Sequence, residues 1–216
     1  MIVTPPLLQH KNCWIFDMDG TLTLAVHDFD AIRTELKLPP GLPILEALAA
    51  LPVQEAAPLR QRLNAIELEL ARQAQAAPGA NELLAHLSGC GFQLGILTRN
   101  SRQNIEVTLD AAGLAHHFSP ATRISRDCTR PKPHPDGIHL LLERWHGTAA
   151  QAVMVGDHLH DLLTAKAAGV TGIYIDPEEA YPFQAQADLS FASLGALMQG
   201  LPGLNGTTDN GAETRR

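Results

Sequence analysis

Residues 13–23 read CWIFDMDGTLT, an apolar run that ends in two aspartates and a glycine. Cys13 to Phe16 have the composition of a short buried strand, and Asp17 and Asp19 follow it directly. Two carboxylates this close together repel each other, and burying either one without a partner is unfavourable. The stretch therefore predicts a cation at the end of this strand.

The composition of the whole chain is that of a globular protein. It has 216 residues, of which 45% are hydrophobic and 18% charged, with a formal net charge of -7. It has no block rich in lysine or arginine, so neither a nucleic acid nor an anionic membrane is expected as the main partner. The 3 cysteines are widely spaced, which favours a reduced intracellular protein. The first residues do not resemble a signal peptide and no apolar run approaches the length of a membrane span, so we expect a cytoplasmic location.

Strand and helix signals alternate in the second half of the chain. Buried strands are predicted at 92–98, 152–157 and 171–176 with a short one near 117–123. Helices are predicted at about 102–112, in DGIHLLLERW at 136–145, and at about 159–168. Alternation of this kind is typical of a parallel sheet with helices on both faces. The expected fold class is therefore α/β.

Residues 24–82 have a different character, being rich in alanine and leucine without a strand signal. Apolar residues recur there at helical spacing, on one face of a helix: Leu59, Leu63, Ile66 and Leu70. Pro58 suits the first turn of that helix, and APGAN at 77–81 is expected to end it. A second helix is predicted at 44–51.

These signals predict a core that is interrupted by a helical insertion. The core comprises residues 1–23 and 83–200, and the insertion comprises residues 24–82. Residues 201–216 are polar and contain several glycines, so they are predicted to form a disordered tail.

Polar residues stand at the ends of the predicted strands or in the adjacent loops. They are Asp17 and Asp19, then Thr98, Arg99 and Asn100, then Lys132 in RPKPHP, and Asp157 and Asp161 in GDHLHD. In parallel α/β sheets, ligands bind in a crevice at the carboxyl ends of the strands. One crevice would thus hold up to four carboxylates, a lysine and a hydroxyl. Oxygen ligands of this kind favour Mg²⁺, which often also binds a phosphate oxygen of the substrate.

The same residues have the chemistry needed for phosphoryl transfer. Lys132 and the hydroxyl of Thr98 suit phosphate oxygens that the metal does not bind. One carboxylate can attack phosphorus while a second moves the proton. This predicts that one of the two opening aspartates attacks and that its neighbour acts as acid and base.

The segments DMDGTLT, LTRN, RPKPHP and GDHLHD, in this order, resemble the four motifs of the haloacid dehalogenase superfamily. More narrowly, they resemble its phosphoglycolate-phosphatase-like branch, and the resemblance spans about residues 13–176. It implies a Rossmann-like three-layer core with a small inserted α-helical cap. It also implies a Mg²⁺-dependent phosphatase that hydrolyses a small phosphorylated metabolite, of the phosphoglycolate or sugar phosphate type, through an aspartyl-phosphate.

The resemblance implies roles for the acidic residues. Asp17 would be the nucleophile and a metal ligand. Asp19 would be the general acid and base and would bind the metal through its main-chain carbonyl. Asp157 would complete the metal site with Asp161 in support, and Gly20 would permit the turn into the cap.

The resemblance also implies which residues contact the phosphate. Thr98 would bind the transferring phosphoryl group, with Arg99 and Asn100 beside it. Lys132 would stabilise the charge of the nucleophile and of the phosphate. His158 stands where the family often has a small hydroxyl residue, and we assign it a supporting role. The segment LTLAVHDFD lacks the aspartate-serine pair of many relatives, so the substrate is not implied.

Each of these residues also has an ordinary structural explanation when taken alone. An aspartate after a strand can bond its own turn, and a threonine or aspartate before a helix is often an N-cap. The pairs His158 and His160, and His116 and His117, suggest zinc, but no cysteine stands at ligand spacing, so surface or core histidines are favoured. It is the four features together that favour catalysis.

Other activities remain open at this point. A phosphomutase uses the same aspartyl-phosphate, and a phosphonate hydrolase would need a cap lysine, for which Lys37 is the one candidate. A receiver-type phosphoacceptor domain is disfavoured because domains of that type have no helical insertion between the acidic pair and the threonine, whereas this chain is predicted to have one. Asp19 disfavours a dehalogenase, and the full set of catalytic residues disfavours a degenerate binding protein. The sequence leaves the oligomeric state open.

Overall fold

The computed structural model describes residues 5–26 and 28–201, which are built around a six-stranded sheet. In chain order its strands are β1 (Cys13–Phe16), β2 (Gln93–Leu97), β3 (Arg123–Ile124), β4 (Ala152–Gly156), β5 (Thr171–Ile175) and β6 (Leu189–Phe191). Their order across the sheet is β3-β2-β1-β4-β5-β6, and every neighbouring pair is parallel. The strand order reverses between β1 and β4, which is where open α/β sheets form their ligand crevice.

The helices of the described residues are α1 (Phe29–Glu35), α2 (Ile44–Ala49), α3 (Val53–Ala71), α4 (Ala80–Gly89), α5 (Arg102–Ala111), α6 (Asp136–Trp145), α7 (Leu159–Ala168) and α8 (Leu194–Gln199). Helices α4 to α8 cover both faces of the sheet. Successive residues of β1 point to opposite faces, so Trp14 and Phe16 join one apolar cluster while Cys13 and Ile15 join another. The first cluster includes α4, α5 and α8, and the second includes α6 and α7. The predicted three-layer Rossmann-like α/β fold is confirmed.

Helices α1 to α3 have a small apolar core of their own. It contains Ile32 of α1, Leu48 of α2 and Leu63 of α3, and the predicted apolar face of α3 packs on it through Leu59, Ile66 and Leu70. Helix α4 begins at Ala80 and packs in the cluster of the sheet, so the boundary expected after residue 82 falls inside this helix. The division of the chain into a core and a cap stays a prediction.

The prediction that Pro58 lies in the first turn of its helix is wrong, because α3 begins directly after Pro52 and Pro58 lies in its second turn. Pro58 has no N–H to bond the carbonyl of Gln54, but Gln54 is exposed in the first turn, where water can replace that bond. The prediction that residues 77–81 end this helix is also wrong. Helix α3 ends at Ala71, and those residues lead into α4.

A few shorter elements also differ from the expectations. Most of residues 117–123, expected to hold a short strand, forms 3-10 turns, and the strand β3 has only two residues. Helices α1, α4 and α8 and strand β6 were not predicted individually. The expected tail lies outside the described residues except for Leu201, which is buried against the core. No helix among the described residues is long and apolar enough to cross a membrane.

Candidate active site

The predicted site residues meet at the carboxyl edge of the sheet, on both sides of the strand-order reversal. Asp17 follows β1, Thr98 follows β2 and Asp157 follows β4. The N–H of Asp17 donates to the carbonyl of Val155 at 2.8 Å, and the N–H of Thr98 donates to the carbonyl of Ile124 at 3.0 Å. The backbone ladder thus continues one residue beyond the strands and fixes where these side chains start.

Lys132 lies between two carboxylates in the interior of the site. Its Nζ is 2.7 Å from Oδ1 of Asp17 and 2.5 Å from Oδ1 of Asp161, and its side chain is 3% exposed. Burial alone would lower the pKa of Lys132, but the charges of Asp161 and Asp17 raise this pKa above its usual value. Lys132 is therefore a buried, protonated ion-pair partner and not a solvated loop residue.

Asp161 uses both carboxylate oxygens to organise its neighbours. One oxygen binds Lys132, and the other accepts the N–H of His158 at 3.0 Å, which caps the start of α7. Gly156 has no side chain, and a Cβ there would overlap the side chain of Asp161. The side chain of His158 accepts the N–H of His160 at 3.2 Å. The N-cap in this motif is therefore His158, which leaves Asp157 available for other contacts.

Asp157 faces the turn that follows β1. Its Oδ1 accepts a hydrogen bond from the hydroxyl of Thr21 at 2.9 Å. Gly20 has a φ of +83°, a left-handed conformation that favours glycine, and a Cβ at Gly20 would overlap the carboxylate of Asp157. Gly20 therefore does more than permit a turn, because it also makes room for Asp157. Thr21 was missed by sequence reasoning, since its partner lies 136 residues away along the chain.

Three carboxylates form one cluster, in which oxygens of Asp17, Asp157 and Asp161 lie within 4.8 Å of one another. Burial, only partly opposed by the charge of Lys132, raises the pKa of Asp17 to about 6. Burial, followed by the charges of Asp17 and Asp161, raises the pKa of Asp157 to about 8. The cluster has more negative charge than one lysine can balance, and its oxygen donors fit a hard divalent cation such as Mg²⁺.

Asp19 points its carboxylate towards the loop after β2. The side-chain amide of Asn100 donates to Oδ2 of Asp19 at 2.5 Å. The backbone N–H of Asn100 donates to the hydroxyl oxygen of Thr98 at 3.1 Å, and the N-cap of α5 is Ser101. Asn100, which we expected beside the phosphate, thus has its side chain on Asp19, while Thr98 is buried and does not cap the helix.

Arg99 extends from the same loop to the inserted helices. Its Nη2 lies 2.6 and 2.7 Å from the two carboxylate oxygens of Glu46 in α2, and its Nη1 lies 3.2 Å from Nε2 of His160. In the structure the guanidinium of Arg99 is bound to Glu46. The expected contact of Arg99 with a phosphate therefore stays a prediction. Sequence reasoning did not single out Glu46, which has no local signal that distinguishes it from other helical glutamates.

The chain was compared with known proteins. The family model described as haloacid dehalogenase-like hydrolase matches residues 14–175, which include all of the predicted site residues. The chain is 34% identical over 189 residues to a Dickeya dadantii (strain 3937) protein named probable phosphatase IndB, covering 76% of this chain and 80% of that protein.

Two solved structures share the fold. A hydrolase from Pseudomonas syringae has a TM-score of 0.75 at 22% identity and covers 88% of this chain and 97% of its own. A predicted phosphoglycolate phosphatase from Haemophilus somnus 129PT has a TM-score of 0.70 at 19% identity, with 89% and 98% covered. At these identities the structures establish the fold, and the family model and the curated relative bear on the chemistry.

Proposed function

This chain belongs to the haloacid dehalogenase-like hydrolase family, and we propose that it is a Mg²⁺-dependent phosphomonoesterase acting on a small phosphorylated metabolite. The observation that carries the proposal is the buried ammonium of Lys132, which is ion-paired with Asp17 inside a cluster of three carboxylates. Such a site combines a negatively charged nucleophile with positive charge for the phosphate that the nucleophile must approach.

Asp17 and Asp19 divide the chemistry between them. A carboxylate oxygen of Asp17 attacks phosphorus, the bond from phosphorus to the ester oxygen breaks, and Asp19 gives its proton to the departing alcohol. Asp19 then takes a proton from a water molecule that attacks the phosphorus of the aspartyl-phosphate. Inorganic phosphate leaves, and the carboxylate of Asp17 is regenerated.

Thr98 and Lys132 have hydrogen-bond donors to spare for the phosphoryl group. The hydroxyl oxygen of Thr98 accepts from the N–H of Asn100, so its own hydrogen is available for a phosphate oxygen. The ammonium of Lys132 has three hydrogens, and its two carboxylate partners use two of them. Both groups are buried, which strengthens their electrostatic effect on the transferring phosphoryl group.

Asp17, Asp157 and the main-chain carbonyl of Asp19 would hold Mg²⁺. When bound, the ion supplies positive charge that offsets both the carboxylate cluster and the phosphate. Asp161 supports the site indirectly, because both of its oxygens are used by Lys132 and the N–H of His158.

Residues 24–82 would act as the cap over this site. Helix α2 reaches the loop after β2 through the contact of Glu46 with Arg99. A cap of this kind excludes bulk water from the phosphoenzyme and favours small substrates. The cytoplasmic location expected from the sequence is part of this proposal.

The test is phosphate release from a panel of small phosphomonoesters, with Mg²⁺ or with a chelator. We expect release by the unmodified protein only with Mg²⁺, and none by the Asp17→Asn variant. The matched control is Asp110→Asn, which changes an exposed aspartate of α5 and should leave release unchanged.

Release that persists in Asp17→Asn would contradict the proposed nucleophile. If no ester is hydrolysed but beryllium fluoride, a phosphate mimic, still binds at Asp17, the site would instead belong to a phosphomutase or a phosphoacceptor protein.

A further inference from the structure

We propose that Glu67 of α3 is a positioning residue for Asp19 and acts on it through Asn104 and Asn100. This inference rests on the proposed function, in which Asp19 is the general acid and base. It adds a residue of the inserted helices that touches neither the phosphate nor the metal site. It also states what the docked insertion contributes to the chemistry besides covering the substrate.

The first step is the contact between Asn100 and Asp19. The side-chain amide of Asn100 donates to Oδ2 of Asp19 at 2.5 Å. Both polar backbone groups of Asn100 are hydrogen-bonded as well. Its N–H donates to the hydroxyl oxygen of Thr98, and its carbonyl accepts the N–H of Arg126 at 3.0 Å. With its backbone held in this way, the remaining freedom of Asn100 is the direction in which its amide points.

The second step is a pair of hydrogen bonds made by Asn104, which is 2% exposed. Its Nδ2 donates to Oδ1 of Asn100 at 3.2 Å and to Oε2 of Glu67 at 3.1 Å. Both hydrogens of this amide are therefore used, and a carboxylate is the partner that can only accept. Glu67 thus fixes which end of the Asn104 amide faces Asn100, and this fixes which end of Asn100 faces Asp19.

The third step is the ion pair that holds Glu67. Arg126 donates from Nη1 to Oε1 of Glu67 at 3.0 Å and from Nη2 to Oε2 at 2.9 Å, and the exposed fractions of the two side chains are 14% and 11%. Arg126 also donates to the carbonyl of Arg99 at 3.1 Å and to Oδ1 of Asn64 at 2.9 Å. The bidentate ion pair joins Glu67 of the insertion to Arg126 of a core loop. Asp19 is therefore oriented in this way only when α3 is docked.

Replacing Glu67 with glutamine should weaken this chain of contacts. One oxygen then remains for three donors, which are Nη1 and Nη2 of Arg126 and Nδ2 of Asn104. The NH2 group that replaces the other oxygen opposes the guanidinium, so the bidentate ion pair and the charge that holds Asn104 are lost. Asn104 and Asn100 are then no longer held in one orientation, and Asn100 can present its oxygen, instead of its N–H groups, to Asp19.

A misplaced general acid has a recognisable kinetic signature. An ester with a poor leaving group needs a proton in the transition state, while an ester with a good leaving group departs without one. Loss of Asp19 positioning therefore slows benzyl phosphate more than p-nitrophenyl phosphate. A merely structural defect lowers the rates of both esters by the same factor.

The experiment measures kcat/KM for p-nitrophenyl phosphate, phenyl phosphate and benzyl phosphate with saturating Mg²⁺, because kcat/KM reports the steps up to departure of the alcohol and not the hydrolysis of the shared aspartyl-phosphate. It compares the unmodified protein with Glu67→Gln and uses Asp19→Asn as the reference for a lost acid. The matched control is Glu69→Gln on the same helix, where the side chain is 62% exposed, pairs with the nearby Arg72 and accepts a hydrogen bond from Gln73. For Glu67→Gln we expect about a tenfold or greater loss with benzyl phosphate, a part of the roughly 10²–10⁴-fold that general acid catalysis contributes, and a much smaller loss with p-nitrophenyl phosphate.

A second variant, Asn104→Leu, removes the relay while the ion pair between Glu67 and Arg126 stays intact. It should produce the same dependence on the leaving group, and it serves as the test if Glu67→Gln does not fold. Equal losses with all three esters, or no loss, would overturn the inference. If Asp19→Asn shows the dependence and neither relay variant does, the positioning role alone fails. If Asp19→Asn does not show it, the acid role in the proposed function fails with it.

Discussion

Replacing Gly20 with alanine should weaken metal binding as well as folding. Gly20 has a φ of +83°, and a residue with a side chain in a left-handed conformation costs about 1–2 kcal/mol. The new methyl group would also overlap the carboxylate of Asp157, so that carboxylate has to move. The perturbation therefore acts on the backbone of one residue and on the side chain of a proposed Mg²⁺ ligand at the same time.

The displaced carboxylate sets the size of the effect. Moving Asp157 breaks its hydrogen bond with the hydroxyl of Thr21, now 2.9 Å long. A hydrogen bond to a charged group contributes about 1.5–3 kcal/mol, so with the backbone strain of about 1–2 kcal/mol we expect the free energy of unfolding to fall by about 2.5–5 kcal/mol. Disturbing the groups that orient a metal ligand typically costs about 10–100-fold in metal affinity.

The chain offers a matched control in Gly91, which lies in the turn before β2. Its φ is +74°, and a Cβ there would meet no atom within 4 Å. Gly91→Ala should therefore lose only the strain, about 1–2 kcal/mol, and keep its Mg²⁺ affinity. The assays are urea denaturation and calorimetric titration with Mg²⁺. Equal stability losses in both variants, together with unchanged Mg²⁺ affinity in Gly20→Ala, would refute the reasoning that residue 20 must leave room for Asp157.

Two further predictions concern the charges of the site. Lys132→Met leaves Asp17 and Asp161 without their buried partner, so it should abolish phosphate release. It should also lower the free energy of unfolding in chelator by about 3–5 kcal/mol, measured by urea denaturation. The control Lys166→Met changes an exposed lysine and should change the free energy of unfolding by no more than about 0.5 kcal/mol. The pKa of Asp157 is raised from 3.8 to about 8, so the folded protein binds this proton more tightly than the unfolded chain, and in chelator the stability should fall as pH rises from 3.8 towards 8. Mg²⁺ should accordingly raise the melting temperature more near pH 8 than near pH 5, and an equal rise at both would argue against the carboxylates as ligands.

The sequence predicts the sheet and the position of the site well because both depend on local signals. Buried parallel strands are short apolar runs, and the residue that ends each run is also the residue that enters the crevice. Asp17, Thr98 and Asp157 could therefore be placed at one edge from the order of the strands alone. Helices α6 and α7 followed from helical spacing and from the glycines and prolines at their ends.

The partners of these residues could not be predicted in the same way. Glu46 and Glu67 are ordinary helical glutamates in the sequence, and their contacts with Arg99 and Arg126 depend on how the inserted helices dock. Strand β6 has three partly buried residues, too few for a clear pattern. Pro58 was placed in the first turn of a helix because of the usual preference of proline, but it lies in the second turn of α3, where Gln54 is exposed and its carbonyl tolerates the missing hydrogen bond.

The distribution of charge between the inserted helices and the core suits a part that opens and closes. The apolar cluster of α1 to α3 shares no residue with the two clusters of the sheet, so docking joins the two parts largely through polar contacts. The core loops supply cations, Arg99 and Arg126, and the inserted helices supply anions, Glu46 and Glu67. When such pairs separate, water hydrates both partners, so opening costs far less than exposing an apolar interface of the same size. In the proposed function, an interface of this kind would allow substrate exchange between turnovers, and its closed form would complete the contacts that we propose orient Asp19.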